Sequence, residues 1–257
     1  MSVEELFDSN LNTLFDVSKK VVIVTGGGRG NGLAIAEGLS KLGAKVIRID
    51  VSFDVQSNDF DFNFNLENLS EIPALIVRIH RKFGVIDGLI NNAGISLTSN
   101  DPYNDNDAYV KTLNINLHAA FELCANVCPI MAKQGSGSII NVTSLGAELG
   151  FPNNPSHQIS KAGLRQATKA IARDWGSSNV RVNNLCPGYI KTSMTSKSYS
   201  DPVLNKVRTN KMLINNWSNI VGDNIVLNVD IRTNDFEGDS HSVWKLVTEG
   251  DKAYRPG

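Results

Sequence analysis

Residues 21–32 read Val21-Val22-Ile23-Val24-Thr25-Gly26-Gly27-Gly28-Arg29-Gly30-Asn31-Gly32, and the fold turns on them. Five β-branched residues in a row favour a short strand buried on both faces. Glycines follow at once. Beyond them, from Asn31 to Leu42, apolar residues recur at three and four positions, the spacing of a helix whose natural stop is Gly43. A strand that runs through a glycine-rich turn into a helix is the first half of a βαβ unit.

The same alternation continues outward. Lys45–Asp50, Ile86–Asn91, Ser138–Val142 and Val180–Leu185 repeat the β-branched strand pattern. Between them the spacing predicts helices over Leu66–Phe83, closed by Gly84, over Asp107–Lys133, bent at Pro129, and over Pro155–Trp175, closed by Gly176. Asp54–Asn65, rich in Asn, Asp and Phe, predicts an irregular connection with one short strand at most. Right-handed crossovers put helices on both faces of a sheet, so the chain is expected to be α/β: a doubly wound Rossmann-type domain with a mostly parallel sheet. No repeat or linker divides the 257 residues, a length that one large α/β domain reaches. A single domain is expected, with an N-terminal extension at 1–18.

Composition narrows the function. Lys+Arg number 25 against 26 Asp+Glu, which leaves no basic excess to meet a nucleic acid backbone, so no nucleic acid is expected as a partner. Apolar runs fall far short of the roughly 20 residues a membrane span needs. Glu4, Glu5 and Asp8 stand where an export signal is basic and apolar, so a cytoplasmic location without membrane is expected. Cys124, Cys128 and Cys186 are too few for a disulfide framework. Cys124 and Cys128 lie four apart without a second ligand pair, so buried thiols and no metal are expected.

The glycine turn carries the first piece of chemistry. Without Cβ atoms the backbone can close tightly and approach a diphosphate, while free N–H groups and the helix dipole favour its negative charge. Asp50 ends the second strand about 20 residues later, where a carboxylate accepts from both ribose hydroxyls and repels a 2′-phosphate. That favours NAD over NADP. Arg29 pulls the other way, as a cation that can meet a 2′-phosphate, but a carboxylate against a phosphate outweighs an exposed Arg.

From about Lys19 to Met194 the chain resembles the short-chain dehydrogenase/reductase family. The motifs are Thr25–Gly32, the segment Asn91-Asn92-Ala93-Gly94, Asn116 in NINLHAAF, Ser144 in INVTSLG, and Pro187-Gly188 followed by Thr192. The resemblance implies a nicotinamide dinucleotide held by Thr25, Gly26, Gly28, Arg29, Gly30, Asn31, Gly32, Asp50, Asn65, Leu66, Asn92, Ala93, Gly94, Lys161, Pro187, Gly188, Ile190 and Thr192. Asn65 stands where an aspartate usually meets the adenine amine, and its side-chain carbonyl can still accept that bond. Thr192 is implied to hold the nicotinamide carboxamide, and residues 192–215 to cover the substrate.

Two departures stand out. The family's YxxxK motif is here His157-Gln158-Ile159-Ser160-Lys161: the lysine is kept and the tyrosine is replaced by histidine. The late strand with its Asp-Gly-Gly ending has no counterpart at Ser242–Leu246, so 216–257 is a divergent segment. Asn116, Ser144, His157 and Lys161 are the implied catalytic set. Ser144 would hydrogen-bond the substrate oxygen, Asn116 would position a water between Lys161 and solvent, and Lys161 would also hold the nicotinamide ribose. Histidine can do acid–base work, but its ring is shorter than a phenol and Lys161 destabilises its imidazolium. Loss of about 10²–10⁴-fold in ordinary alcohol dehydrogenation is expected, the scale of one general acid or base.

Two functions therefore stand side by side: an NAD-dependent oxidoreductase acting on a hydroxyl or keto group of a small substrate, with His157 in proton transfer, or an NAD-binding protein whose chemistry has lapsed. The stretch NNPSHQISKAGL is similar to dehydrogenases of bacterial sugar biosynthesis, which implies a sugar-like substrate. The resemblance also implies a homo-oligomer, dimer or tetramer, built on the two long helices.

Overall fold

The structure, a computed structural model, describes residues 16–55 and 58–210. Residues 216–257, expected to be divergent, most of the N-terminal extension and the last five residues of 192–215, expected to cover the substrate, lie outside the described residues.

Six parallel strands form one sheet: β1 (Val21–Thr25), β2 (Lys45–Asp50), β3 (Asp61–Asn63), β4 (Gly88–Asn91), β5 (Gly137–Val142) and β6 (Val180–Leu185), in the order β3-β2-β1-β4-β5-β6. The order reverses between β1 and β4. In an open parallel sheet that reversal leaves a crevice outside the strands' carboxyl ends, where ligands bind. The helices are α1 (Gly30–Lys41), α2 (Ile72–Phe83), α3 (Asn106–Leu113), α4 (Ala119–Gln134), α5 (Pro155–Trp175), α6 (Ser196–Ser200) and α7 (Pro202–Thr209).

Side chains of β1 alternate between two cores. Val21 and Ile23 pack with residues of α2, α4 and α5, while Val22 and Val24 pack with Ala36 of α1. Period-two alternation thus puts helices on both faces, as the strand pattern required.

Three boundaries differ from the sequence reading. The helix expected from Leu66 starts as α2 at Ile72, after a 3-10 turn at Leu69–Glu71. Pro73 is the cause: it lacks an N–H and clashes with the carbonyl four residues back, so it fits only the first turn of an α-helix. The strand expected from Ile86 starts at Gly88, because the Gln134 amide takes both backbone groups of Ile86, at 3.0 and 2.9 Å. The helix expected over Asp107–Lys133 is helical from 106 to 134, but a π turn at Asn114–His118 separates α3 from α4.

That 29-residue run is long and apolar enough to cross a bilayer by length and composition. Its apolar side is committed elsewhere: Ala119, Leu123, Cys124, Val127, Cys128 and Met131 of α4 all belong to the larger core. All three cysteines are buried and none forms a disulfide. Burial pushes the Cys124 thiol up to about 12 and Cys128 to about 11, which makes them packing groups and not nucleophiles.

Candidate active site

Every motif of the site meets at the carboxyl ends of the strands. After β1 the chain turns through Gly26 at φ +63 and Gly30 at φ +53, left-handed values that favour glycine. A Cβ on Gly32 would stand 2.0 Å from Gly26 O, so the turn closes only with glycine there. The loop after β4 clamps it. Thr25 Oγ1 accepts from Asn92 N and Ala93 N, each at 3.1 Å, and Asn92 Nδ2 donates to Thr25 O at 3.0 Å.

The head of α1 suits a diphosphate. Arg29 at its N-cap makes no side-chain cap, and its first turn holds no acid. The side-chain oxygen of Asn31 is buried there without a hydrogen-bond partner. Donors free of side-chain competition, at the start of a 12-residue helix, favour an anion.

Asp50 closes the far side. Its carboxylate is nearly buried and accepts from Gly28 N at 2.9 Å and from Val51 N at 2.7 Å. The Arg29 guanidinium lies 3.9 Å from it, so Arg29 is partly answered within the site. Asn65 follows β3, and its side-chain oxygen accepts from Glu67 N at 3.0 Å. Leu66 is buried in the core, which leaves its main chain to meet a nucleotide.

The reacting end lies beyond β4 and β5. Lys161 is buried and donates to Val142 O at 2.7 Å. Burial pushes its ammonium down to about 8. Asn116, in the π turn, makes its side-chain hydrogen bonds to Ile95 and Ser160. Its Oδ1 accepts from Ile95 N at 2.8 Å, and its Nδ2 donates to Ile95 O at 2.9 Å and to Ser160 Oγ at 3.1 Å. Asn116 Oδ1 and Lys161 Nζ each lie 3.3 Å from the point where a Cβ on Gly94 would sit, so glycine is what lets the two polar groups share that space.

Ser144 follows β5, and its Oγ accepts from Gly146 N at 3.1 Å. His157 sits on α5, one turn before Lys161, with Nδ1 3.2 Å from Ile95 O. Ser144 Oγ and His157 Cδ2 lie 3.6 and 3.8 Å from the point where a Cβ on Gly146 would sit, and Gln158 Cγ lies 3.1 Å from it, so serine, imidazole and Gln158 are gathered around Gly146. Burial, then the Lys161 charge, hold the imidazole below its usual range, against a smaller opposing pull from Ile95 O.

Gly188 and Pro187 follow β6, and Ile190 beyond them is buried. The Thr192 hydroxyl is 3.3 Å from Thr195 Oγ1, and Thr192 N donates to the same oxygen at 2.9 Å. Thr192 therefore belongs to a tight local turn with Thr195. Three groups escaped the sequence reading: the backbone of Ile95, the Ser160 hydroxyl, and the pair Asn154 Nδ2 to Ser96 Oγ at 2.7 Å, which ties the head of α5 to the loop after β4. Only Ser160, one position before Lys161 on α5, left a sequence signal.

Residues 20–202 match the short chain dehydrogenase family. The chain belongs to that family. Among its relatives, the 2-(R)-hydroxypropyl-CoM dehydrogenase of Xanthobacter autotrophicus is 32% identical over 200 residues, 72% of this chain and 80% of the relative. The gluconate 5-dehydrogenase of Gluconobacter oxydans is 31% identical over 199 residues, covering 73% and 78%. In three dimensions the short-chain dehydrogenase fold is shared with the ligand-free aldohexose dehydrogenase of Thermoplasma acidophilum, at a TM-score of 0.73, 27% identity, and 80% and 84% coverage. A gluconate 5-dehydrogenase of Burkholderia cenocepacia solved with NADP and tartrate has the same fold, at a TM-score of 0.73, 24% identity, and 80% and 85% coverage. The named relatives are oxidoreductases, and a nicotinamide dinucleotide suits the cradle described above.

Proposed function

We propose that the chain is an NAD-preferring oxidoreductase that moves hydride between a nicotinamide and a hydroxyl or keto carbon of a small, sugar-like substrate, with His157 as the proton-transfer group. The observation that carries this reading is that Ser144 Oγ and the His157 ring are gathered around Gly146, with Lys161 one helical turn beyond His157. A bound nicotinamide dinucleotide would supply the hydride donor or acceptor. The chain's own residues do the rest. Ser144 donates to the substrate oxygen, His157 exchanges its proton, and the Lys161 ammonium, already below the usual lysine range, lies one helical turn beyond His157.

The diphosphate would rest on the amides at the head of α1, with Gly26, Gly28, Gly30 and Gly32 giving it room. Asp50 supports NAD over NADP, because its nearly buried carboxylate beside the glycine turn would repel a 2′-phosphate. Sugar-like substrates are supported by the gluconate and aldohexose specificities named for the relatives.

Assembly into a homo-oligomer through the long helices is supported by half-exposed Val110 and Phe121 on the 106–134 run and Ile159 on α5. A hollow beside them is lined by Leu69, Leu117, His118, Phe121 and Glu122. Sedimentation at several concentrations tests this.

The test of function is a panel of polyols, sugars and keto compounds followed by NADH absorbance, for the natural chain and for His157→Tyr. Turnover that rises in the variant and is measurable without it supports the reading. NADH binding with no turnover in either chain replaces it with an NAD-binding protein whose chemistry has lapsed.

A further inference from the structure

We infer that the Ile95 carbonyl fixes His157 as a proton acceptor at Nε2, which makes the site complementary to an alcohol and not to a ketone. This rests on the reading of His157 as the proton-transfer group.

A carbonyl oxygen has no proton to give, so the 3.2 Å contact between Nδ1 and Ile95 O is a hydrogen bond only when Nδ1 carries the proton. Ile95 cannot turn away. Asn116 grips its N–H at 2.8 Å and its carbonyl at 2.9 Å, using the side-chain oxygen for one and the nitrogen for the other. The same nitrogen donates to Ser160 Oγ, and Ser160 Oγ donates to His157 O at 2.7 Å. The ring of contacts closes on the histidine from both its side chain and its main chain.

A neutral imidazole has one N–H. With that proton on Nδ1, Nε2 presents a lone pair. Protonation of both nitrogens is opposed by burial and by Lys161 from α5, the one charged group among the described residues that acts on the ring. Ile95, which meets the ring at Nδ1, and Ser144, near its Cδ2 edge, carry no charge.

Ser144 supplies the complement. Its Oγ already accepts from Gly146 N, which leaves its own proton to donate. The Cδ2 edge of His157, the edge that carries Nε2, and Ser144 Oγ both come within 4 Å of a Cβ placed on Gly146, so the two groups are near neighbours. A substrate oxygen that bridges Ser144 Oγ and His157 Nε2 meets one donor and one acceptor. A hydroxyl satisfies both. A carbonyl satisfies only Ser144 and turns its lone pair toward that of Nε2, a mismatch that a tyrosine hydroxyl, able to donate or accept, would not impose.

In the favoured direction the hydroxyl proton passes to His157 Nε2, the O–H electron pair becomes the second C–O bond, and the carbon-bound hydrogen leaves with its pair as hydride to oxidised nicotinamide. The reverse reaction needs Nε2 protonated beforehand, which burial and Lys161 disfavour. Asn116 and Ser160 are positioning residues here: they act on the proton through Ile95 and the histidine main chain.

Histidine-selective 15N NMR of the whole chain without nucleotide reads the proton directly, at about pH 7.5, above the reference histidine value of about 6.5. His157 is assigned as the resonance pair lost in His157→Gln. The expected result is a neutral ring with a pyrrole-type shift at Nδ1 and a pyridine-type shift at Nε2. The opposite assignment, or a ring protonated on both nitrogens at that pH, overturns the inference. The readout is separate from the proposed function: a chain that binds no NADH and turns over nothing refutes that function wherever the proton lies, whereas Nε2–H in an active chain refutes only this assignment.

Discussion

Asp50 reaches back over the glycine turn to Gly28, with Oδ2 accepting from Gly28 N at 2.9 Å while Oδ1 accepts from Val51 N at 2.7 Å. The last residue of β2 and the middle of the turn after β1 are thereby one unit. The backbone holds the carboxylate in place before any ribose arrives, so its charge acts at a defined point.

Asp50→Asn keeps an oxygen for the Gly28 amide and removes only that charge. The ratio of NADH to NADPH affinity is expected to fall by about tenfold, which corresponds to about 1.4 kcal/mol. Paired titrations with the two nucleotides measure it, and an unchanged ratio would remove Asp50 from cofactor choice.

Gly32→Ala places a methyl group 2.0 Å from the Gly26 carbonyl, a contact no rotamer can relieve. The turn must open, so NADH affinity is expected to fall at least tenfold, or by about 1.4 kcal/mol or more. Gly38→Ala on the same helix meets nothing within 4 Å and serves as the control for general helix effects. Equal affinity in the two variants would count against the diphosphate position.

The buried pair Arg48–Asp61, bidentate at 2.7 and 2.6 Å, joins β2 to the short strand β3. Asp61→Ala leaves the Arg48 guanidinium buried without its partner, and about 3–5 kcal/mol of stability is expected to be lost. Urea denaturation checks this. A loss below about 1 kcal/mol, the scale of an exposed pair, would mean that solvent reaches Arg48.

The lowered protonation range of His157 sets a pH dependence. Its ring is a base only when neutral, so alcohol oxidation is expected to be level above the reference value of about 6.5 and to decline only as pH falls below it. In His157→Tyr the phenol reference of about 10 moves that limb to higher pH, tempered by Lys161. Stability follows the same group: between its lowered value and about 6.5 the unfolded ring binds more protons than the folded one, so stability falls with falling pH across that window. Urea midpoints of the natural chain and His157→Gln should diverge there, and parallel curves would deny the burial.

The extents of β1, β2, β6 and α5 could be read from residue patterns alone, because each is bounded by glycine, proline or a clean change of period. The start of α2 was legible too, had Pro73 been weighed against the apolar spacing of Leu66 and Leu69. The π turn was not. The side chains around Asn116 keep helical spacing, and only the main chain widens so that the amide meets Ile95. The site divides the same way. Ser144, His157 and Lys161 are placed by the resemblance of their motifs to the family, whereas the atoms that orient the imidazole are the amide and carbonyl of Ile95, which every residue type possesses and no letter marks.

Isothermal calorimetry of NADH and NAD with the whole chain tests the central claim most directly, since the claim is that a pyridine dinucleotide lies along the head of α1 with its ribose at Asp50. One nucleotide bound per chain, with NADH binding at least tenfold weakened in Gly32→Ala, is the result predicted. A folded chain that takes up neither nucleotide at millimolar concentration would contradict it.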